Sequence, residues 1–329
     1  MLEDIGILIA SMLLVFLASL LFVNAIEYLG GRFKLEGAFV SATLAPLFTS
    51  LPELVVILVA VFAFGGSGGQ SIGIGTIFGE PFMASSLAYG LTGVVVLLGY
   101  SQRTRRDTVL EVGRGLTTPY VFITVLFPLT LVPALVGGEF ARYAFAAVFL
   151  AAYFAYVAMM VRSKGGETIE GAEEPYLHRL VENHLRAGAI QLAAAAVLLY
   201  LASSLLVQSV TAVAASTGIS ALGLSIILIP AATAIPETIS ALIWAWRGKD
   251  TLSIGSLVGE KVLYATFYPG LGLLITGWKL DVYAYISVLT TFMVSVVLLY
   301  FILRRKIPWY ALMIGLIFFV AYTVFVFAL

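Results

Sequence analysis

The chain has 329 residues, of which 61% are hydrophobic and only 11% are charged, and its mean hydropathy is +1.06. This composition excludes an ordinary soluble domain and a disordered chain, and it predicts an integral membrane protein. The sequence contains no cysteine, which excludes disulfides and thiolate metal sites, and its formal net charge is zero.

Apolar runs of about 20 residues, the length that spans a bilayer, recur along the whole chain. The amino-terminal residues 1–4 lack the positive region of a cleavable signal peptide, so the first run is expected to remain in the protein. We predict ten membrane-spanning helices, at 5–26, 36–64, 71–99, 116–136, 140–161, 186–208, 218–246, 251–277, 282–303 and 308–328.

Lysine and arginine are distributed unequally between alternate loops. Fifteen of them lie on one face, only Arg142 and Lys279 lie on the other, and Lys261 lies inside a span. The positive-inside rule then predicts basic loops in the cytoplasm and both termini outside, in the plasma membrane of the cell. We interpret the basic residues as determinants of topology rather than as a nucleic-acid or lipid site, so the expected partners are the bilayer and inorganic cations.

One motif occurs twice within the predicted spans. Residues 46–53 read PLFTSLPE and residues 230–237 read PAATAIPE, so two prolines, a threonine and a glutamate recur at a spacing of 184 residues. A glutamate in hydrocarbon is costly unless it has a partner, and it therefore indicates a functional site. Each proline lacks an N–H donor, which leaves a carbonyl free within the span, such as those of Phe48 and Ile226.

A second motif extends the repeat. Residues 74–80 (IGTIFGE) match residues 254–260 (IGSLVGE) after a shortening of four residues, which we assign to a flexible glycine-rich turn at 64–70. In each copy two glycines four residues apart predict close contact between helices. They are Gly75 and Gly79 in the first copy and Gly255 and Gly259 in the second.

The repeats predict an all-α membrane protein of ten transmembrane helices arranged as two inverted five-helix repeats. Each half holds five spans, and because five is odd, the second half enters the membrane from the opposite side. The predicted boundaries are 1–162 for the first repeat, 163–184 for a polar cytoplasmic linker and 185–329 for the second repeat.

The duplicated motifs gather oxygen ligands near the middle of the membrane. A threonine lies four residues before each Pro-Glu glutamate, so that hydroxyl and carboxylate share a helical face. Hard cations such as Ca²⁺ prefer an all-oxygen shell of this kind. Lys261 could be a charge partner of Glu260 or Glu237, or it could point elsewhere. The predicted metal ligands are Glu53, Glu237, Glu80, Glu260, Thr49, Thr233 and Ser50.

These residues resemble the α-repeats of the calcium:cation antiporter superfamily, and most closely its sodium/calcium exchanger branch. The resemblance implies alternating access, with Glu53 and Glu237 as the central calcium ligands. It also implies that Thr49, Ser50 and Thr233, with nearby carbonyls, complete the calcium and sodium sites. No cofactor is implied, because Ca²⁺ and Na⁺ or H⁺ would be substrates.

The chain departs from the family pattern Gly-Asn-x-x-Gly-Ser-Asn in both copies of the second motif. The serine is replaced by Glu80 and Glu260, and the final asparagine by Pro81 and Lys261. Ala234 replaces a serine that would contribute to sodium coordination. The coupling ion, Na⁺ or H⁺, therefore stays open, and so does transport of Mg²⁺ or Mn²⁺ in place of Ca²⁺.

The leading hypothesis is a secondary antiporter that exports a divalent cation against Na⁺ or H⁺. Two alternatives are a cation channel with the same carboxylates as its selectivity site and a non-transporting scaffold in which Lys261 fills the ion site. An enzyme is not expected, because the predicted spans contain no nucleophile–base pair and no histidine cluster. The oligomeric state does not follow from the sequence.

Overall fold

The structure is a computed structural model that describes residues 2–32, 45–162, 173–181 and 183–328. The first part of the predicted second span, 36–44, and half of the predicted linker, 163–172 and 182, lie outside the described residues. The described chain is built almost entirely of helices, whose long apolar segments identify an integral membrane protein.

Fifteen α-helices follow one another along the described chain. In order, α1–α5 are Leu2–Arg32, Ala45–Thr49, Leu51–Leu58, Gly66–Met83 and Tyr89–Ser101. Helices α6–α10 are Thr117–Leu129, Val132–Val136, Glu139–Arg162, His184–Thr217 and Ala221–Thr233. Helices α11–α15 are Ile235–Trp246, Asp250–Ala265, Phe267–Ile275, Val282–Leu303 and Trp309–Ala328.

Seven helical segments of the described chain are long and apolar enough to cross a membrane. They are Glu3–Gly30, Gly66–Ser101, Arg114–Val136, Glu139–Met160, His184–Thr217, Val282–Leu303 and Trp309–Ala328. An eighth crossing results if α10 and α11, which meet at a bend of 63°, form one span. The predicted spans at 36–64 and 251–277 contain only shorter helices, so the count of ten stays a prediction.

Two π-helical segments interrupt the first half of the chain. Helix α3 continues as a π-helix over Val59–Phe64, and α4 joins α5 through a π-helical segment at Ala84–Ala88. A π-turn widens the helix and leaves backbone groups in unusual positions, and such segments are frequent at functional sites. In the second half, α12 and α13 are instead separated at Thr266, whose backbone leaves the helical region (φ −137°, ψ −78°).

The predicted turn at 64–70 is wrong in its extent. The turn is confined to Gly65 and Gly66, both with positive φ of about 60°, and α4 already begins at Gly66. Gly69 lies within α4, at a point where this helix packs directly on the preceding π-helical segment. A β-carbon at Gly69 would lie 2.1 Å from the carbonyl oxygen of Ala60. Close packing, rather than flexibility, is what glycine supplies at this position.

Helix α4 lies against α10 in the centre of the molecule. A β-carbon at Gly75 would lie 2.6 Å from Ser225 Cβ, and one at Gly79 would lie 2.8 Å from the carbonyl oxygen of Ile226. The predicted close helix contact is therefore confirmed for the first pair of glycines. For the second pair it stays a prediction, because residues 33–44, which precede the Pro46 that lies 3.3 Å from a β-carbon at Gly259, are outside the described residues.

A small antiparallel sheet joins the loops that carry many of the basic residues. Strand β1 (Val109–Glu111) pairs with β2 (Lys306–Pro308), with Leu110 opposite Ile307. Beside it, the guanidinium of Arg105 lies 2.7 Å from the carboxylate of Asp250, and both side chains are buried. Since Asp250 is the first residue of α12, this ion pair fixes the end of a helix that carries site residues.

Candidate cation site

The two Pro-Glu motifs lie at two helix breaks with the same backbone geometry. Helix α2 ends at Thr49 and α3 begins at Leu51, and the residue between them, Ser50, has φ −88° and ψ 3°. In the second copy Ala234 separates α10 from α11 with φ −87° and ψ 9°. Proline is favoured in the first turn of a helix, where its missing N–H costs no hydrogen bond, so each proline specifies the start of the second helix.

All four predicted glutamates lie in the interior around these breaks. Glu53 on α3, Glu80 on α4 and Glu260 on α12 are buried, and Glu237 on α11 is half-buried. Their carboxyl groups interact electrostatically with one another: that of Glu260, for example, is near those of the other three. Helices distant in sequence therefore bring four acidic groups into one region of the protein interior.

Three of these carboxyl groups have an oxygen without a protein partner. Oε2 of Glu53, of Glu80 and of Glu237 is buried and accepts no hydrogen bond within the described part of the chain. Buried polar atoms are normally satisfied, so each of these oxygens needs an explanation such as an ion or water. Among the described residues, no group of three or more histidine, aspartate or glutamate side chains is arranged to hold a metal ion by itself. Hydroxyl or carbonyl ligands are thus needed beside the carboxylates.

The predicted hydroxyl ligands differ between the two copies. The hydroxyl of Thr49 donates a hydrogen bond to a carboxylate oxygen of Glu260 and so connects the first copy with the second. The hydroxyl of Thr233 donates to the carbonyl of Ile229 in its own helix, at 3.0 Å, and also contacts the carboxyl of Glu53. Both threonines therefore lie beside a glutamate of the opposite repeat.

Ser50 is held by an aromatic pair on the second half of the chain. The Tyr268 hydroxyl lies 2.8 Å from both the backbone carbonyl and the Oγ of Ser50. The Tyr264 ring stacks on that of Tyr268 with 4.4 Å between centroids. These contacts fix the residue at the first helix break.

Two cavities meet at Glu237. The larger, of about 340 Å³, is lined by Glu80, Glu237 and Glu260 together with apolar side chains. The smaller, of about 160 Å³, is lined by Thr49, Thr233 and Glu237. Five of the seven predicted ligands therefore border open space large enough for a cation, whereas Glu53 and Ser50 line neither cavity. A further cavity, of about 720 Å³, lies among basic loops and contains none of them.

Lys261 does not point toward Glu260 or Glu237. Its ammonium donates a hydrogen bond to Ser85 Oγ at 2.7 Å and lies 4.3 Å above the centre of the Tyr89 ring. The carboxyl group with which it interacts electrostatically is that of Glu80. Of the two possibilities left open from the sequence, a charge partner of Glu260 or Glu237 and a side chain that points elsewhere, these contacts favour the second.

Sequence reasoning missed several residues around the site. Glu27 lines the smaller cavity and is electrostatically near Glu237. The predicted first span ended at residue 26, and a carboxylate followed by more apolar residues could have drawn attention to it. The roles of Tyr268 and Ser85 follow from contacts between distant helices, for which the sequence carries no local signal.

The family model of the sodium/calcium exchanger protein matches residues 4–162 and 187–329 of this chain. The inner membrane protein YrbG of Escherichia coli (strain K12) is 24% identical over 291 residues, which cover 87% of this chain and 84% of the relative.

Solved structures share the fold. The H⁺/Ca²⁺ exchanger CAX superposes with a TM-score of 0.77 at 20% identity, covering 98% of this chain and 82% of that one. The sodium-calcium exchanger NCX_Mj superposes with a TM-score of 0.57 at 17% identity, covering 97% of each chain. The match of the family model over nearly the whole length decides the assignment: the chain belongs to the sodium/calcium exchanger protein family.

Proposed function

We propose that this protein is a secondary active antiporter that exchanges a divalent cation, Ca²⁺ in the first instance, against Na⁺ or H⁺ by alternating access. One observation carries the proposal: two helix breaks of equal geometry place Glu53 and Glu237, each with a buried unpartnered oxygen, in one region of the interior. Two carboxylates balance a divalent charge, and hydroxyls and carbonyls can complete its oxygen shell.

The ligands come from both halves of the chain. We assign Glu53, Glu80, Thr49 and Ser50 from the first half, and Glu237, Glu260 and Thr233 from the second. The bond from Thr49 to Glu260 and the contact of Thr233 with Glu53 support this shared site. A site divided between two halves can open to either side of the membrane when one half moves against the other.

We also propose the ten-helix arrangement in two inverted five-helix repeats, placed in the plasma membrane with basic loops in the cytoplasm. Three of the predicted spans are broken among the described residues. They contain α2 and α3, α10 and α11, and α12 and α13. Broken helices at a binding site are typical of transporters with inverted repeats.

The proposal is tested by counterflow in proteoliposomes. Purified protein is reconstituted, the vesicles are loaded with Na⁺ or buffered at low pH, and uptake of ⁴⁵Ca²⁺ is measured after dilution into medium that imposes the gradient. We expect the protein to accumulate Ca²⁺ with one of the two gradients, and we expect accumulation to stop when an ionophore collapses that gradient. Absence of uptake under both gradients would contradict the proposal, and uptake that persists without any gradient would favour a channel.

A further inference from the structure

Lys261 is a buried charge that the proposed exchange does not use. Its side chain is fully buried, at 0% exposure, in the second half of α12. Removing an ammonium from water costs several kcal/mol, roughly, unless the protein supplies compensating interactions. A lysine in this position is therefore expected to serve the site rather than only to fill space.

The surroundings of the ammonium resemble those that a protein offers to a free monovalent cation. The contacts are a neutral oxygen, Ser85 Oγ at 2.7 Å, and the faces of two tyrosines, with ring centres 4.3 Å (Tyr89) and 5.9 Å (Tyr120) away. Aromatic faces attract cations through the quadrupole of the ring. The Tyr120 hydroxyl donates to the Tyr89 hydroxyl at 2.6 Å, which holds the two rings together around the ammonium.

The positive charge of Lys261 has no counterpart in the first copy of the repeat. The matching residue of the first copy, at the spacing of 180 residues that relates the second motifs, is Pro81, which carries no charge. The carboxyl that interacts with Lys261 belongs to Glu80, the neighbour of Pro81. The second copy thus supplies a positive charge to the acidic group of the first.

The positive charge of Lys261 affects how many coupling ions are needed to neutralise the four glutamates. Four glutamates can contribute up to four negative charges, and a bound divalent cation neutralises two of them. We propose that the Lys261 ammonium acts as a resident monovalent cation, so that the exchange requires one Na⁺ or H⁺ fewer for each divalent cation than the same site would without it. The inference rests on the proposed function and concerns its stoichiometry.

The test is the calcium ratio that the protein reaches at steady state. Proteoliposomes are held at zero membrane potential under a tenfold gradient of the coupling ion, and free Ca²⁺ is measured inside and outside when net flux has stopped. Because each additional coupled ion contributes one further factor of the gradient, Lys261→Met should raise the limiting calcium ratio about tenfold. Lys261→Arg, which keeps the charge, and Lys279→Met, at an exposed position, should retain the wild-type ratio.

The outcomes separate the two proposals. A wild-type protein without counterflow would overturn the proposed function and this inference with it. Wild-type counterflow with an unchanged limiting ratio in Lys261→Met would overturn the inference alone. A Lys261→Met protein that does not fold, while Lys261→Arg does, would assign the ammonium to structure and would likewise overturn it.

If Lys261→Met folds but does not transport, a second measurement decides. Lys261→Ala removes the whole side chain and leaves room for a small cation beside Ser85. We expect methylammonium to restore calcium counterflow in this variant, in a concentration-dependent manner, and to have no such effect on the wild type. Failure of methylammonium to restore any flux would contradict the role of a resident cation.

Discussion

The two copies of the repeat agree at the helix breaks and differ after the second motif. Ser50 and Ala234 have the same backbone conformation within a few degrees. In contrast, α4 continues through the π-helical segment Ala84–Ala88 into α5, whereas α12 and α13 are separated at Thr266. The geometry of the helix breaks is thus repeated, but the path of the helix that carries the second motif is not.

The largest expected effect is the loss of calcium counterflow when the glutamate at either helix break is replaced. Glu53→Gln and Glu237→Gln should each lower calcium counterflow by on the order of 100-fold, because each removes a charged ligand that the other copy cannot replace. Initial rates of ⁴⁵Ca²⁺ uptake provide the measurement. Glu139→Gln, at a well-exposed carboxylate, is the matched control and should retain full activity. A strong defect in only one of the two glutamine variants would contradict the equal roles proposed for Glu53 and Glu237.

Two glycines of α4 should respond unequally. Gly75→Ala should destabilise the protein by about 1–3 kcal/mol, because the new methyl group would overlap Ser225 and the carbonyl of Leu222. Gly68→Ala, in the first turn of the same helix, should be neutral or slightly stabilising, because a β-carbon there would meet no described atom within 4 Å and alanine favours a helix. Thermal unfolding in detergent measures both, and equal shifts in Tm would contradict the close contact of α4 with α10.

A smaller effect is expected at the tyrosine that contacts the first helix break. Tyr268→Phe removes the hydroxyl that binds Ser50, and a net loss of about 1 kcal/mol would weaken apparent calcium affinity roughly fivefold. The first copy has Ala88 at the matching position, so the repeat supplies no second tyrosine that could compensate. Tyr322→Phe is the control, since the Tyr322 hydroxyl is buried without a partner among the described residues. Equal affinities in the two variants would show that the break at Ser50 needs no external support.

Much of this arrangement could be predicted from the sequence because its causes are local. Apolar runs specify membrane helices, proline specifies the start of a helix, and a duplicated glutamate in an apolar run marks a site. The membrane class, the breaks and the family followed from these features. The glycine-rich turn at 64–70 was predicted incorrectly because glycine has two uses, flexibility and close packing, and only the neighbour of Gly69 distinguishes them.

Other features depend on contacts that the sequence does not encode locally. The direction of Lys261 is decided by Ser85 and Tyr89, which come from another part of the chain. The close packing of Gly75 and Gly79 depends on α10, which lies opposite them. The ten-helix count, the boundaries of the repeats and the ligand roles stay predictions.

The central claim is that one divalent cation binds between the glutamates of the two helix breaks. Anomalous diffraction from crystals soaked in Sr²⁺ or Mn²⁺ tests it directly, because the peak identifies the contacting oxygens. We expect one peak inside the protein, in contact with carboxylate oxygens of both Glu53 and Glu237. A peak bound by only one copy, or a peak confined to the loops around Arg105 and Asp250, would contradict the claim.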